Sequence, residues 1–189
     1  MKRVPAKKDN RTRLVRAAEK MTSRRGFRQT TIADIAHEAH VPLGNVYYYF
    51  KTKDEIGDAV VDRLLSEVAV MLESLEAAAS PKDRLCAAVD AVVANKTGLA
   101  QSGCAVGSLC TELHKDGGAL ADKATVLFDE QLRWMESQFK YFVPAAQARR
   151  NSVHLLSALQ GISVLAHSFR DPALVVGEAA ELKKWIRGL

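Results

Sequence analysis

The chain has 189 residues, 48% of them hydrophobic, and a formal net charge of +5. This size allows one medium domain, or a small module joined to a larger domain. The sequence contains no run of about 18 apolar residues, which predicts that it does not span a membrane. No apolar segment with a cleavage site follows the basic N-terminus, so we expect no signal peptide and a cytoplasmic protein.

The charge is distributed unevenly along the chain. Residues 1–53 hold 13 Lys and Arg against 4 Asp and Glu, a net charge of +9, whereas residues 54–189 hold 14 against 18, a net charge of −4. A basic N-terminal part on a mildly acidic body indicates that only the former meets a polyanion.

Local signals in the N-terminal third predict short helices. Residues 1–8 are expected to be a disordered basic arm, followed by a helix over residues 10–25. Thr31 is expected to cap the next helix, with Asp34 three residues on. Pro42 suits the first turn of the helix after that.

The remainder is predicted to consist of longer helices. Thr52-Lys-Asp-Glu55 is a capping box that starts a long helix. Ser80-Pro-Lys-Asp83 starts another, expected to reach Leu99. Residues 101–104 are predicted to form a loop, and further helices are expected over residues 105–115 and 120–142, from Pro144 to Phe169 and from Pro172 to Ile186.

These elements define an all-α fold with about nine helices. We expect three parts: the arm (residues 1–8), an N-terminal three-helix helix-turn-helix DNA-binding domain (residues 9–53), and a larger helical domain for effector binding and dimerisation (residues 54–189). In helix-turn-helix proteins, the second helix enters the major groove. Here that helix should project Leu43, Gly44, Asn45, Tyr47 and Tyr48 outward and bury Val46 and Phe50.

Each exposed residue type suits a different contact with double-stranded DNA. Asn45 can bond a base edge, most naturally adenine. Tyr47, Tyr49 and Lys53 suit phosphate and sugar contacts, which set register rather than sequence. The alternative is that a tyrosine-rich helix is core or protein interface, but three consecutive tyrosines cannot all be buried on one helix.

Residues 10–57 resemble the N-terminal domain of the TetR family of bacterial transcription regulators. The runs Thr-Thr-Ile-Ala-Asp-Ile-Ala, Val-Pro-Leu-Gly-Asn-Val-Tyr-Tyr-Tyr-Phe and Lys-Thr-Lys-Asp-Glu carry the resemblance. It implies that Thr31, Asn45, Tyr47, Tyr49 and Lys53 fall where family members contact DNA. The position of Tyr49 is often His in the family, so this contact is expected to differ.

The resemblance also implies a homodimer that releases a palindromic operator when a small-molecule effector binds, with repression as the family default. The apolar segment 153–169, with Ser157, Ala158, Gly161 and Ser163 permitting close approach, predicts one interface helix. A second apolar surface is predicted near the C-terminus, from Leu174, Val175, Leu182, Trp185 and Ile186. Burial inside one subunit is the alternative for both.

The effector is expected to be small and partly hydrophobic or aromatic, since the predicted pocket residues combine apolar surface with a few polar anchors. Ordinary core or interface roles are the alternative for each of them. They are Cys104, Phe128, Gln131, Trp134, Met135, His154, Gln160 and His167.

The cysteines raise two further possibilities. Cys104 lies in a Gly-Cys-x-x-Gly-x-Leu pattern at a predicted helix start, so it is either a reactive thiol that senses electrophiles or oxidants, or a small buried residue. Cys110 and His114 have a spacing that metals use, and Cys104 would make a third possible ligand, but a fourth ligand is missing and we predict no metal site. Cys86 is expected in the core, and the odd number of cysteines argues against a disulfide framework.

No nucleophile motif, glycine-rich phosphate loop or paired-acid constellation is present. We therefore expect a regulator rather than an enzyme, and no cofactor.

Overall fold

The computed structural model describes residues 7–189, with side chains from residue 10, and is all-helical over that range. Ten α-helices lie in this part of the chain, which confirms the predicted fold class. They are α1 (Lys7–Arg25), α2 (Ile32–Glu38), α3 (Leu43–Tyr49), α4 (Lys53–Leu75), α5 (Pro81–Ala94), α6 (Lys96–Ser102), α7 (Ala105–Leu113), α8 (Ala119–Phe139), α9 (Ala145–Phe169) and α10 (Ala173–Gly188).

The N-terminal arm is mostly outside the described residues. Residues 1–6 of the predicted arm 1–8 lie there, and α1 begins at Lys7, so the last two arm residues are helical. None of the described helices is both long and apolar enough to cross a bilayer.

The predicted helix starts are confirmed. The Thr31 hydroxyl accepts from the Asp34 amide at 3.1 Å, and the Asp34 carboxylate accepts from the Thr31 amide at 3.0 Å, which completes the capping box of α2. Ser80 caps α5 in the same way through the amide of Asp83. These bonds satisfy amides that the first turn of a helix leaves without a partner.

The start of α4 differs in one detail from the predicted capping box. The Thr52 hydroxyl accepts from the Glu55 amide at 3.1 Å, as expected. The Glu55 carboxylate, however, accepts from the amide of Lys51 at 2.7 Å, one residue before the cap. The side chain therefore reaches further back along the chain than predicted.

The prediction of one helix from Ser80 to Leu99 was wrong. It is divided at Asn95, which has φ −97° and ψ 13° and ends α5. Asparagine competes with the backbone for hydrogen bonds and so favours such breaks. The predicted loop over residues 101–104 is also shorter, since α6 includes Ser102 and ends at Gly103, whose φ of +72° favours glycine.

The chain forms two compact units, and each contains separate stretches of sequence. The first comprises the described residues up to Leu64 together with Ser108–Thr125, and the second comprises Leu65–Gly107 and Val126–Leu189. The boundaries fall inside α4, α7 and α8. The predicted division at residue 53 is linear, whereas the first unit extends into α4 and also includes the separate segment Ser108–Thr125.

In the first unit, helices α1, α2 and α3 pack together around fully buried side chains. Leu14, Ile35 and Val46 are each at most 1% exposed. In α4, Gly57 lies so close to Phe27 and Leu120 that a Cβ there would approach each to 2.8 Å. Helices α1–α3 and the turns between them are called the head below. Tight packing thus reaches from the head to the beginning of α8.

The core of the second unit is built from α5, α8, α9 and α10. Its centre is Phe139, fully buried, with the rings of Phe142 and Trp185 at 5.6 and 5.8 Å. Cys86 belongs to this core, as predicted, and burial raises the pKa of its thiol. A smaller cluster joins Leu99 of α6 to α9 and α10.

Candidate nucleic-acid interface

The turn between α2 and α3 fixes the direction of the second helix. His40 adopts a left-handed conformation with φ +51°, which reverses the chain. Arg13 of α1 donates to the carbonyls of Ala39 and His40 at 2.5 and 3.1 Å. Arg13 therefore holds the turn from the side, a role that sequence reasoning did not find because the partners are 26 and 27 residues apart.

Helix α3 has one buried and one exposed face, as predicted. Val46 is fully buried and Phe50, which follows the helix, is 2% exposed. Exposed side chains of α3 are Leu43, Asn45, Tyr47 and Tyr48, and Gly44 is exposed with them. Nothing lies within 4 Å of where a Cβ of Gly44 would stand, so the fold itself leaves this position open.

Two of the tyrosines are exposed, Tyr47 to 46% and Tyr48 to 63%. Tyr49 is half-buried, and its ring meets that of Tyr48 edge-on at 5.1 Å. Tyr47 and Tyr48 are therefore more accessible to a ligand surface than Tyr49 is.

Thr31 and Lys53 are already engaged within the protein. The Thr31 hydroxyl donates to the Asp34 carboxylate at 2.8 Å and accepts from the Asp34 amide, so its proton is used in the cap. The Lys53 ammonium donates to the Arg28 carbonyl at 3.0 Å and lies 4.6 Å from the centre of the Phe27 ring. Burial lowers the pKa of Lys53, against the opposing effect of the Glu112 and Asp54 charges.

A cleft of about 820 Å³ opens in the first unit beside Lys53. Cations and carboxylates both line it, including Arg11, Arg28, Asp58 and Asp116. Such a mixed-charge lining does not match the apolar effector pocket expected from the sequence, and none of the predicted effector residues lines this cleft.

The structure gives the predicted effector residues separate partners. Phe128, Trp134 and Met135 belong to or pack against the core of the second unit. The Trp134 indole donates to Glu76 at 2.7 Å, and the His154 ring meets the Trp185 ring edge-on at 4.8 Å between centroids. Within this group only Cys104 and Gln160 are hydrogen-bonded to each other, at 3.6 Å.

The remaining two effector predictions are tied to backbone. Gln131 donates to the Leu127 carbonyl of its own helix at 2.9 Å, and the His167 Nδ1 lies 3.3 Å from the Ala100 carbonyl of α6. These contacts support the core and interface alternatives for both residues, and an effector role for them stays a prediction.

The second predicted dimer surface was wrong. Val175, Leu182 and Ile186 are at most 4% exposed and pack within the chain's own core, and Leu174 and Trp185 pack against it. A period of 3.6 residues identifies an apolar face but not the partner that covers it. In α9, Ser163 is also buried, whereas Ser157 and Gly161 are exposed.

The cysteine–histidine pair of α7 has protein partners. The Cys110 thiol donates to the Ala124 carbonyl at 3.2 Å, and His114 Nδ1 lies 2.8 Å from the Cys110 carbonyl. Among the described residues, no group of three or more His, Cys, Asp or Glu side chains is arranged to hold a metal ion.

Comparisons with known proteins agree with the geometry of the head. Residues 14–60 match the family model described as "Bacterial regulatory proteins, tetR family". The HTH-type transcriptional regulator HbdR of Aromatoleum sp. (strain CIB) is 38% identical over 85 residues, which are 43% of this chain and 36% of HbdR. The chain thus matches about a third of the length of this curated relative.

Solved structures extend the likeness to the whole fold. A TetR transcriptional regulator from Legionella pneumophila has a TM-score of 0.84 at 17% identity, covering 97% of this chain and 98% of that one. The transcriptional regulator FadR from Bacillus subtilis, in complex with stearoyl-CoA, has a TM-score of 0.73 at 17% identity, covering 93% and 96%. At this identity the likeness shows the fold alone.

The α2 capping box makes stability depend on pH. The hydrogen bonds from the Thr31 amide and hydroxyl, assisted by Arg25 and His37, lower the pKa of Asp34 from its ordinary 3.8. A carboxyl with a depressed folded-state pKa stabilises the protein above its unfolded pKa, and this contribution is lost as pH falls through the folded value. We expect Asp34→Asn to lower the free energy of unfolding at pH 7 and the difference from wild type to shrink below about pH 4.

Urea unfolding at a series of pH values measures this difference. The same substitution in a Thr31→Ala background is the control, and there its effect should be smaller but not absent, because the hydroxyl donor is gone while the residue 31 amide still donates to the carboxylate. A difference that stays constant down to pH 3 would contradict the assignment.

Proposed function

We propose that this chain, which belongs to the TetR family, is a DNA-binding transcription regulator that binds a palindromic operator as a homodimer and releases it in response to an effector. Repression is the expected direction of control. The observation that carries the proposal is the exposed face of α3, held in place by a buried Val46 and Phe50. α3 is the second helix of the helix-turn-helix formed by α2 and α3, and in proteins with this motif the second helix enters the major groove.

Specificity is proposed to come from Asn45 and affinity from its neighbours. An asparagine amide can bond adenine at two positions at once, which distinguishes it from other bases. Gly44 has open space where a side chain would be, so the backbone can approach the groove. Tyr47 and Tyr48 are exposed and suit phosphate contacts, which position the helix.

Selection of genomic fragments by purified, reduced protein tests the proposal. We expect enrichment of one palindromic motif. Asn45→Ala should weaken binding to that motif by about 1–3 kcal/mol and relax the preference at one base pair per half-site. Fluorescence anisotropy with the enriched site and single-base variants measures both effects.

Tyr47→Phe should instead weaken binding about equally on all sequences, since a phosphate contact carries no base information. Tyr141→Phe is the matched control, because Tyr141 is 73% exposed on the second unit. If wild-type protein enriches no motif, or binds scrambled DNA equally well, the proposed function is wrong.

Dimerisation is proposed to use the exposed face of α9. Val153, Val164, Leu165 and Phe169 are between 44% and 70% exposed on this helix, and Gly161 among them allows close approach of a second helix. α10 packs against α9 and adds Val176, which is 45% exposed. A two-fold interface formed by these faces would present two heads to two half-sites.

Val164→Glu should prevent the dimer because it places charges on both sides of a two-fold contact. Sedimentation velocity should show a monomer for this variant and a dimer for wild type, with operator binding weakened accordingly. Val70→Glu is the matched control, since Val70 is 66% exposed on α4 and Val164 is 64% exposed. Equal dimer content in both variants would remove α9 from the interface.

The effector is proposed to be a small, partly hydrophobic molecule bound by the second unit. The FadR structure holds stearoyl-CoA, so a similar fold accommodates a ligand with a long apolar acyl chain. A thiol-based signal through Cys104 is the alternative. The half-buried Cys104 sulfur accepts from the Gly107 amide at 3.4 Å and lies 3.6 Å from the Gln160 side-chain nitrogen, at the start of α7.

Cys104→Ser separates these two triggers. A reversible ligand should release DNA from the serine variant as it does from wild type, whereas an electrophile that adds to sulfur should release only wild type. N-ethylmaleimide is added to each protein bound to operator DNA, and fluorescence anisotropy measures how much DNA is released. If N-ethylmaleimide also releases operator DNA from the Cys104→Ser variant, this thiol is not the sensor.

A further inference from the structure

The turn Gly26–Arg28, which leads from α1 to the helix-turn-helix, has an unusual partner. The Glu112 carboxylate of α7 accepts from the Phe27 amide at 2.7 Å with one oxygen and from the Arg28 amide at 2.6 Å with the other. Hydrogen bonds of backbone amides to a carboxylate are about twice as strong as neutral ones. The contact joins residues 84 and 85 positions apart in one compact unit.

Gly26 is needed for this contact on two counts. Its φ of +89° favours glycine, and a Cβ there would lie 2.8 and 2.9 Å from the two Glu112 oxygens. The carboxylate thus occupies the space that a side chain would take, which any other residue at this position would disturb.

The carbonyls of the same turn are held by other residues. The Gly26 and Phe27 carbonyls accept from Thr30, and the Arg28 carbonyl accepts from the Lys53 ammonium at 3.0 Å. The Arg28 side chain also bonds Asp116, three residues beyond the end of α7, at 2.7 Å. The turn is therefore fixed between the end of α7 and the first residue of α4.

The other end of α7 is packed tightly as well. A Cβ on Gly107 would lie 2.5 Å from the Gln160 side-chain oxygen of α9, and Gln160 also bonds Cys104. α7 is one continuous helix from Ala105 to Leu113, and Glu112 lies in its last turn.

We infer that Glu112 is a positioning residue for DNA recognition: its carboxylate latches α7 to the Gly26–Arg28 turn and holds the reading head in its operator-binding orientation. This inference rests on the proposed function and adds a residue that positions the DNA-binding helices.

Glu112→Gln tests the latch. The side-chain amide keeps one acceptor oxygen but turns a donor NH₂ toward the second backbone amide, so one hydrogen bond is lost and the other is no longer charge-assisted. We expect operator affinity to fall by about tenfold or more, the effect of losing such a bond, while affinity for scrambled DNA stays unchanged. Glu130→Gln is the matched control, since it makes the same charge change at an exposed site on α8 and should alter neither affinity.

Hydrogen exchange of the wild-type protein gives a second reading that does not depend on a variant's folding. Coupling between two sites is reciprocal. Operator DNA should therefore slow amide exchange in the segment 108–116 relative to scrambled DNA, and Glu112→Gln should abolish this difference. Circular dichroism checks that the variant is folded. If the variant is unfolded, the exchange measurement on wild-type protein alone tests the inference.

The outcomes separate the two proposals. The proposed role of Glu112 is wrong if Glu112→Gln binds the operator as tightly as wild type does. It is also wrong if operator DNA does not change amide exchange in residues 108–116. Neither result contradicts the proposed regulator function. Failure of wild-type protein to prefer any operator overturns the proposed function itself.

Discussion

Helix α3 depends on burial because it is too short to be stable alone. Isolated helices shorter than about 12–15 residues are marginal in water, and α3 has seven. Fully buried Val46, with Phe50 one turn later, anchors it on α1 and α2. This anchor decides which residues face outward, and the exposed set of Asn45, Tyr47 and Tyr48 follows from it.

The turns around α3 complete its placement, and charged side chains hold both. Arg13 donates hydrogen bonds to the two backbone carbonyls in the turn before α3. Glu112 does the opposite for the amides before α2. Backbone groups in turns must find partners, and each of these turns finds them on another helix.

The larger unit divides its apolar surface between its own core and a face left exposed. Val175, Leu182 and Ile186 of α10 are buried inside the chain, while Val164, Leu165 and Phe169 of α9 are exposed. Large exposed apolar side chains grouped on one helix are uncommon on a monomer surface and mark interaction sites. The two classes look alike in sequence because both satisfy helical periodicity.

The sequence by itself determined features that arise within one or two turns of helix. The capping box at Thr31, the N-cap at Ser80, the burial of Val46 and Phe50 and the all-α fold were predicted because their causes lie three or four residues apart. Family resemblance in residues 10–57 followed from the same local pattern.

Only the tertiary structure decided which distant groups meet. The bonds of Glu112 to the turn after α1 and the inward direction of Lys53 depend on how helices dock, as does the burial of Leu182 and Ile186. The break at Asn95 was missed although its cause is local, because asparagine is tolerated inside helices at small cost. Helical periodicity predicts which face of a helix is apolar, but the packing of helices that are far apart in sequence decides what covers that face.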